Sequence, residues 1–287
     1  MTGLALTLIL AAAFIHASWN FLLKRSGGGT VFIWLFASLS ALFYAPLALT
    51  VVWWTQPALG WISYSLMLAS ALIHTAYYLL LDRSYRSGGD LSLVYPLARG
   101  SGPLITVIVA VLLLGEHPST VALAGAALIA GGAVLLTGNL ARLRQRGSLL
   151  AVMYALLTGC MIASYTVVDK LAVAAFVVPP ILQDWAANCG RVMLMSPLAL
   201  RARHEIVPTW RRARTDIIGV ALLCPLSYIL VLSAMVFTPV SYVAPAREMS
   251  ILIAALMGAQ LLREGEVPRR LAAAAAMVAG IVCLAIG

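Results

Sequence analysis

The sequence predicts an all-α membrane protein, with ten transmembrane helices forming two inverted five-helix repeats around a central cavity. Three observations predict it. The 287 residues are 62% hydrophobic and only 10% charged, with mean hydropathy +0.98. That is more apolar surface than a water-soluble domain of this size can bury. The chain also divides into ten apolar runs, each near the roughly 20 residues that an α-helix needs to cross the hydrocarbon core. Finally, motifs of the first half return in the same order in the second.

The runs fall at roughly 3–23, 31–53, 61–82, 91–114, 118–138, 148–169, 180–200, 216–237, 240–262 and 268–286. Most connections are short, so consecutive helices are expected to be antiparallel neighbours. The longest polar stretch, Arg201 to Asp216, reads as a loop. The first run lacks a basic leading segment and holds Trp19 and Asn20 late, so it reads as a retained helix and not a cleaved leader.

Lysine and arginine set the expected orientation. Lys24 and Arg25 follow the first run, Arg83 and Arg86 the third, and Arg142, Arg144 and Arg146 the fifth. Arg201, Arg203, Arg211, Arg212 and Arg214 follow the seventh, and Arg263, Arg269 and Arg270 the ninth. The opposite side holds only Lys170, and Arg99, Arg191 and Arg247 lie within runs. The crowded side is expected in the cytoplasm of a multi-pass protein of the inner (plasma) membrane, with both termini outside. This placement, not a nucleic-acid partner, accounts for the net charge of +9. Trp53, Trp54 and Trp61 flank an uncharged loop, as an interfacial aromatic belt does.

The repeat is visible in four places. Ala17-Ser-Trp-Asn-Phe-Leu-Leu-Lys24 parallels Ala163-Ser-Tyr-Thr-Val-Val-Asp-Lys170. Trp34 with Ala45-Pro-Leu-Ala-Leu49 parallels Trp185 with Ser196-Pro-Leu-Ala-Leu200. Gly115-Glu-His-Pro118 parallels Gly265-Glu-Val-Pro268, and the glycine-rich fifth run parallels the tenth. The offset stays between 146 and 151 residues, which divides the chain into repeats 1–140 and 147–287. Five helices per repeat is an odd number, so the second must be inverted, the arrangement that underlies alternating access.

Two runs carry charge and helix breakers at corresponding places. Leu93-Val-Tyr-Pro-Leu-Ala-Arg-Gly-Ser-Gly-Pro-Leu104 holds Arg99 among Pro96, Gly100, Gly102 and Pro103. Tyr242-Val-Ala-Pro-Ala-Arg-Glu248 holds Arg247 and Glu248 beside Pro245. Such residues are costly against lipid and belong beside a polar cavity or a partner. With Pro225, these prolines and glycines are the expected hinges. Tyr95 and Arg99 share a face of the fourth run, and the arginine fork suits a carboxylate. His74 with Tyr77 and Tyr78 offers stacking surface, hydrogen-bond handles or a proton carrier. Alternatives for these groups are a structural pair of Arg99 with Glu248, and helix packing for the aromatics.

His16, Asn20 and Lys24 align at four-residue steps. Trp19 and Tyr165 hold equivalent places in the two repeats and can face each other across a cavity. Trp185, Asn188 and Arg191 share a face of the seventh run, and Asp169 accompanies Tyr165 on the sixth. Arg247 points about 100° away from Glu248 around a helix, so the two need not pair directly. Glu248 is a candidate for proton coupling or for binding an ammonium group. Glu116 and Glu266, beside prolines, read as helix-start signals.

The chain resembles the drug/metabolite transporter superfamily, in particular its ten-helix EamA-type members, among them aromatic amino-acid exporters. The motifs that carry the resemblance are His16-Ala-Ser-Trp-Asn20 with Lys24, Tyr95-Pro96 with Gly115-Glu116, and Pro245 with Gly265-Glu266. The resemblance spans the whole chain. It implies a cavity lined by helices 1, 3, 4, 6, 8 and 9, and export of amino acids or other small metabolites. The chain departs from the pattern in two ways. Ser40 stands where many relatives carry an arginine in helix 2, and the loop charges place outside the termini that many relatives keep inside.

The expected function is export of a small metabolite, amino acids (aromatic or large neutral) being the favoured class, by a carrier acting as a monomer in the lipid bilayer. Export of cationic drugs is the alternative. Sugar-phosphate or nucleotide-sugar exchange is set behind both, because it calls for several cations in the cavity. A channel does not require two inverted breaks. No G-x-S-x-G, H-E-x-x-H or P-loop sequence is present, so no enzyme is expected. Gly27-Gly-Gly29 reads as a flexible loop. The four cysteines, Cys160, Cys189, Cys224 and Cys283, stand apart, so neither a metal nor a cofactor is expected.

Overall fold

The computed structural model describes residues 1–86, 91–136, 148–254 and 267–287, and its regular structure is helical throughout them. Five helices come from the first half: α1 (Gly3–Ser26), α2 (Thr30–Thr55), α3 (Trp61–Arg86), α4 (Leu91–Leu113) and α5 (Thr120–Leu136). Five come from the second: α6 (Ser148–Lys170), α7 (Pro180–Arg201), α8 (Ile206–Phe237), α9 (Val240–Arg247) and α10 (Val267–Ile286). Local chemistry sets the ends. The Thr2 hydroxyl accepts from the Ala5 amide at 3.3 Å to cap α1, and Gly27 closes it with φ 80°, a left-handed turn that glycine enters without steric cost. Pro180 starts α7, where its missing N–H is harmless.

Five described spans are long and apolar enough to cross a membrane: Gly3–Ser26, Thr30–Thr55, Trp61–Leu81, Val152–Ala175 and Arg203–Phe237. Three further apolar stretches, Arg99–Leu113, Thr120–Leu136 and Leu271–Ile286, lie within α4, α5 and α10. α7 falls outside both groups because it carries Gln183, Asp184, Asn188 and Arg191, all of them buried. Its polar face turns into the bundle while Met193, Leu194 and Leu200 face outward. Trp53, Trp54 and Trp61 are exposed at one end of the bundle.

The helices pack in a definite set of pairs. α1 lies on α8, α3 on α6, α4 on both α5 and α6, α2 on both α7 and α8, α3 on α7, and α5 on α10. Trp34 of α2 donates to Ser196 Oγ of α7 at 3.0 Å, and Trp185 of α7 donates to the Ala41 carbonyl of α2 at 2.8 Å. These contacts run in opposite directions along the two helices, so α2 and α7 are antiparallel. α5 and α10 are antiparallel too, and glycines bring their backbones together. A Cβ on Gly125 would lie 2.7 Å from the Gly280 carbonyl, and one on Gly280 the same distance from the Gly125 carbonyl. This is the small-residue packing that lipid-embedded helices use.

Three sequence expectations need correction. Arg201–Asp216 is not a loop. A turn of 3-10 helix at Arg203–Glu205 leads into α8, which begins at Ile206 and bends at the non-helical Ala213 (φ −131°, ψ 23°). The polar arginines alternate there with buried Thr209 and Ala213, so the piece forms an amphipathic turn and not a solvated strand. The described part of the ninth run, 240–254, is not one unbroken helix: α9 stops at Arg247, a turn follows at Glu248, and helix resumes over 249–254. Pro245 lacks an amide proton, and the ladder tightens to i−3 bonds, Glu248 N to Pro245 O at 3.0 Å and Ile251 N to Glu248 O at 2.9 Å. Glu116 does not cap its own following helix. Its two carboxylate oxygens accept from the amides of Val240 and Ser241 at 2.8 and 2.9 Å, capping α9. Lys170 Nζ donates beside it to the carbonyls of Met235 and Thr238 at 2.7 and 3.0 Å, so the α8–α9 turn is held from both ends. Glu266 lies outside the described residues, as do Arg142, Arg144, Arg146 and Arg263.

Of the expected hinges, α4 remains helical through Gly100, Gly102 and Pro103, and α8 through Pro225. Gly102 is a packing seat: a Cβ there would meet Ile162 Cγ2 of α6 at 2.9 Å. The clear break lies just beyond Pro245.

Candidate functional site

A cavity of about 50 Å3 lies at the centre of the bundle. Its walls come from α1 (His16, Trp19), α3 (His74, Tyr77, Tyr78), α4 (Arg99), α6 (Tyr165), α7 (Asp184, Asn188, Arg191), α8 (Cys224, Ser227, Tyr228) and α9 (Arg247). It therefore collects His16, Trp19, His74, Tyr77, Tyr78, Arg99, Tyr165 and Arg191 from the residues expected on sequence grounds. Trp19 and Tyr165 both reach it, as their equivalent places suggest.

One wall is aromatic. The His74 ring stacks on Tyr165 with centroids 4.0 Å apart, and Tyr228 meets His74 edge-on at 5.4 Å. Tyr77 stands edge-on to Tyr165 at 5.9 Å. Trp19 contributes its ring while its N–H donates to Ser227 Oγ at 3.2 Å, leaving no orphan donor.

The charged groups form three sets. Where α4 meets α9, Arg99 Nε lies 3.1 Å from Glu248 Oε2, and Arg247 Nε lies 3.9 Å from Oε1 of the same carboxylate. Two cations thus share one anion, and only the arginines line the cavity. Arg247 also donates to Tyr165 OH at 3.4 Å. On α7, Arg191 donates to Asn188 Oδ1 at 2.8 Å, and Asn188 Nδ2 donates to Asp184 Oδ2 at 2.9 Å. The amide relays between cation and anion, and the Arg191 guanidinium sits 4.6 Å above the Tyr78 ring. Behind the aromatic wall, the Asp169 carboxylate accepts from Gln183 Nε2 at 2.8 Å and Tyr228 OH at 2.5 Å.

Other expected site residues go elsewhere. Trp185 spends its N–H on the α2–α7 interface and is absent from the cavity wall. Asn20 donates to the His16 carbonyl at 3.1 Å and also stands off the wall. Glu248 sits behind the wall as the counter-ion of Arg99, the structural pair that sequence reading held open. Arg247 and Glu248 do approach, because the turn at Glu248 alters the helical divergence between neighbours. The side chains of Tyr95 and Pro96 lie outside the described residues. Ser40, at the position of departure from the family pattern, donates to the Ala221 carbonyl at 3.0 Å and joins α2 to α8.

Sequence reasoning did not select Ser227, Tyr228 or Cys224 for the site. Tyr228 lies in an apolar run without a neighbouring charge, so no local signal marks it. Among the described residues, no group of three His, Cys, Asp or Glu side chains is placed to hold a metal ion.

Residues 149–286 match the model of the EamA-like transporter family. The match falls on the second half of the chain and agrees there with the drug/metabolite transporter resemblance. A solved structure described as the crystal structure of a protein has a TM-score of 0.79 with this chain at 13% identity. The alignment covers 100% of this chain and 98% of that one, a likeness of fold. No curated protein matches the chain.

Proposed function

We propose that the chain is a secondary transporter that exports small zwitterionic metabolites, amino acids with large neutral or aromatic side chains being the favoured class. The observation that carries this reading is the charge layout of the central cavity. Arg99, Arg191 and Arg247 are buried around it, and so are Asp169, Asp184 and Glu248. Three cations against three anions make a site near neutrality, which suits a zwitterion better than a phosphate dianion. The α4–α9 arginines share one carboxylate and are the natural seat for a substrate carboxylate. Asp184, across the aromatic wall, faces an ammonium group. The wall of His74, Tyr77, Tyr165 and Tyr228 meets an apolar side chain.

The charges that line the wall itself are three guanidiniums and the single carboxylate of Asp184, Asp169 and Glu248 lying behind it, and this weakens the cationic-drug reading. The guanidiniums also supply the several cations whose expected absence set phosphate-bearing substrates aside. A monoanionic metabolite is therefore the second reading.

The two repeats, 1–140 and 147–287, work as inverted halves in this proposal. The helix pairs support it: exchanging each of α1–α5 with its counterpart in α6–α10 converts α1–α8 contacts into α6–α3, and α3–α7 into α8–α2, while α2–α7 and α5–α10 map onto themselves. A cavity of about 50 Å3 is a third of one that admits benzene. Substrate entry accordingly requires the halves to move apart on one side.

Counterflow in proteoliposomes tests the reading. Vesicles preloaded with unlabelled amino acid should take up labelled tryptophan, phenylalanine or leucine faster than empty vesicles. Equal uptake for every amino acid tested, by folded protein, would refute it.

A further inference from the structure

Behind the aromatic wall, hydrogen-bond geometry leaves room for one more proton. His74 Nδ1 lies 3.0 Å from the Ser70 carbonyl oxygen and 3.2 Å from Ser70 Oγ. A carbonyl oxygen only accepts, so Nδ1 carries the hydrogen. The Nε2 of a neutral His74 then bears a lone pair, and it faces Asp169 Oδ2 at 4.0 Å. Lone pair and carboxylate repel, and protonation of Nε2 turns that repulsion into an ion pair. Asp169 is fully buried. Its other partners, Tyr228, Gln183 and the Ser70 hydroxyl, are neutral. His74 is its one potential counter-ion within 4.0 Å among the described residues. Burying a carboxylate without a counter-ion is costly.

We propose that His74 and Asp169 form the coupling-proton site of this carrier: His74 Nε2 takes up one proton in alternation with substrate, and the Asp169 carboxylate 4.0 Å away balances the charge of the imidazolium. The proposal rests on the transporter reading above. The groups that face the pair are Tyr165 on α6 itself, Asp184 on α7, Tyr228 on α8 and Arg247 on α9, with Arg191 of α7 acting on His74. His74 lines the cavity and Asp169 does not, so the proton is both reachable and held. An imidazolium adds a fourth cation to a wall already lined by Arg99, Arg191 and Arg247. It repels the ammonium group of a substrate, and the substrate repels it in turn, since coupling between two ligands is reciprocal. That mutual exclusion is what exchange of a proton for a substrate requires.

Two measurements test the site in the full-length protein. In nitrogen-15 spectra of histidine-labelled protein, His74 is the signal that survives replacement of His16, His117 and His204. It should titrate between the Nδ1–H neutral form and the imidazolium, and stay neutral over the same range in Asp169→Asn. In proteoliposomes, the ratio of exchange with an imposed pH gradient to exchange without it should exceed one in the natural protein and fall to one in Asp169→Asn. Asp169→Glu should restore part of that excess. The proposal is overturned if His74 keeps one protonation state throughout the pH range of transport, or if Asp169→Asn responds to the gradient as the natural protein does. The spectra need no substrate. Absent counterflow with a titrating His74 would count against the amino-acid reading and not against the proton site.

Discussion

Glu248→Gln should destabilise this protein more than Arg99→Gln does, although the two residues form one ion pair. Arg99 Nε lies 3.1 Å from Glu248, and Arg247 Nε 3.9 Å from the same carboxylate. At an effective dielectric constant of about 20, these attractions are roughly 5 and 4 kcal/mol before desolvation. Removing one partner of a buried pair costs about 3–5 kcal/mol, because the other charge is stranded. Arg99→Gln leaves Glu248 with Arg247 still beside it, so its cost should fall near 3 kcal/mol. Glu248→Gln strands two guanidiniums that also repel each other, so its cost should reach about 5 kcal/mol. The assay is thermal unfolding of the detergent-solubilised variants, alone and combined. Contacting residues couple, so the double variant should fall short of the sum of the singles by about 1–3 kcal/mol. Added small anions should rescue Glu248→Gln and not the natural protein. Equal costs for the two single variants, or strict additivity in the double, would refute the shared-carboxylate arrangement.

Three further outcomes follow from the packing. Glu116→Ala uncaps α9, whose Val240 and Ser241 amides it accepts at 2.8 and 2.9 Å; unfolding should show a loss of about 1–2 kcal/mol, and an unchanged midpoint would remove the cap from the account. Gly125→Val places a side chain where the Gly280 carbonyl lies 2.7 Å from an ideal Cβ. Forcing α5 and α10 apart should cost about 1–3 kcal/mol or more, whereas Gly131→Ala, with open space around it, should be silent in the same melt. Trp185→Phe removes the donor to the Ala41 carbonyl. It should lower stability by about 1 kcal/mol and leave the concentration dependence of counterflow unchanged; weaker substrate affinity in that variant would return Trp185 to the site.

The candidate site was legible in part because membrane helices make polar residues conspicuous. Arg99, Arg191 and Glu248 stood out as charges within apolar runs, and His74 with Tyr77 and Tyr78 as a cluster at helical spacing. Spacing along one helix says which side chains share a face, but not which faces meet. Trp185 shares its face with Asn188 and Arg191, yet its longer ring reaches sideways to α2 instead of inward. Glu116 sits beside a proline like a helix-start signal, and the helix it caps is a distant one.

The sequence by itself determined the course of nearly every helix, because membrane crossing is a local property: an apolar run of sufficient length must be helical to satisfy its own backbone. The runs at 3–23, 31–53, 61–82 and 180–200 lie inside α1, α2, α3 and α7. Only the tertiary structure decided how the buried charges pair. Arg99 with Glu248, and Asp169 with Tyr228 and His74, are chosen by which helices pack together, whereas Arg191 reaches Asp184 through Asn188 along α7 itself. In a low-dielectric interior every such group must find a partner, and in two of these three sets the partner comes from another helix.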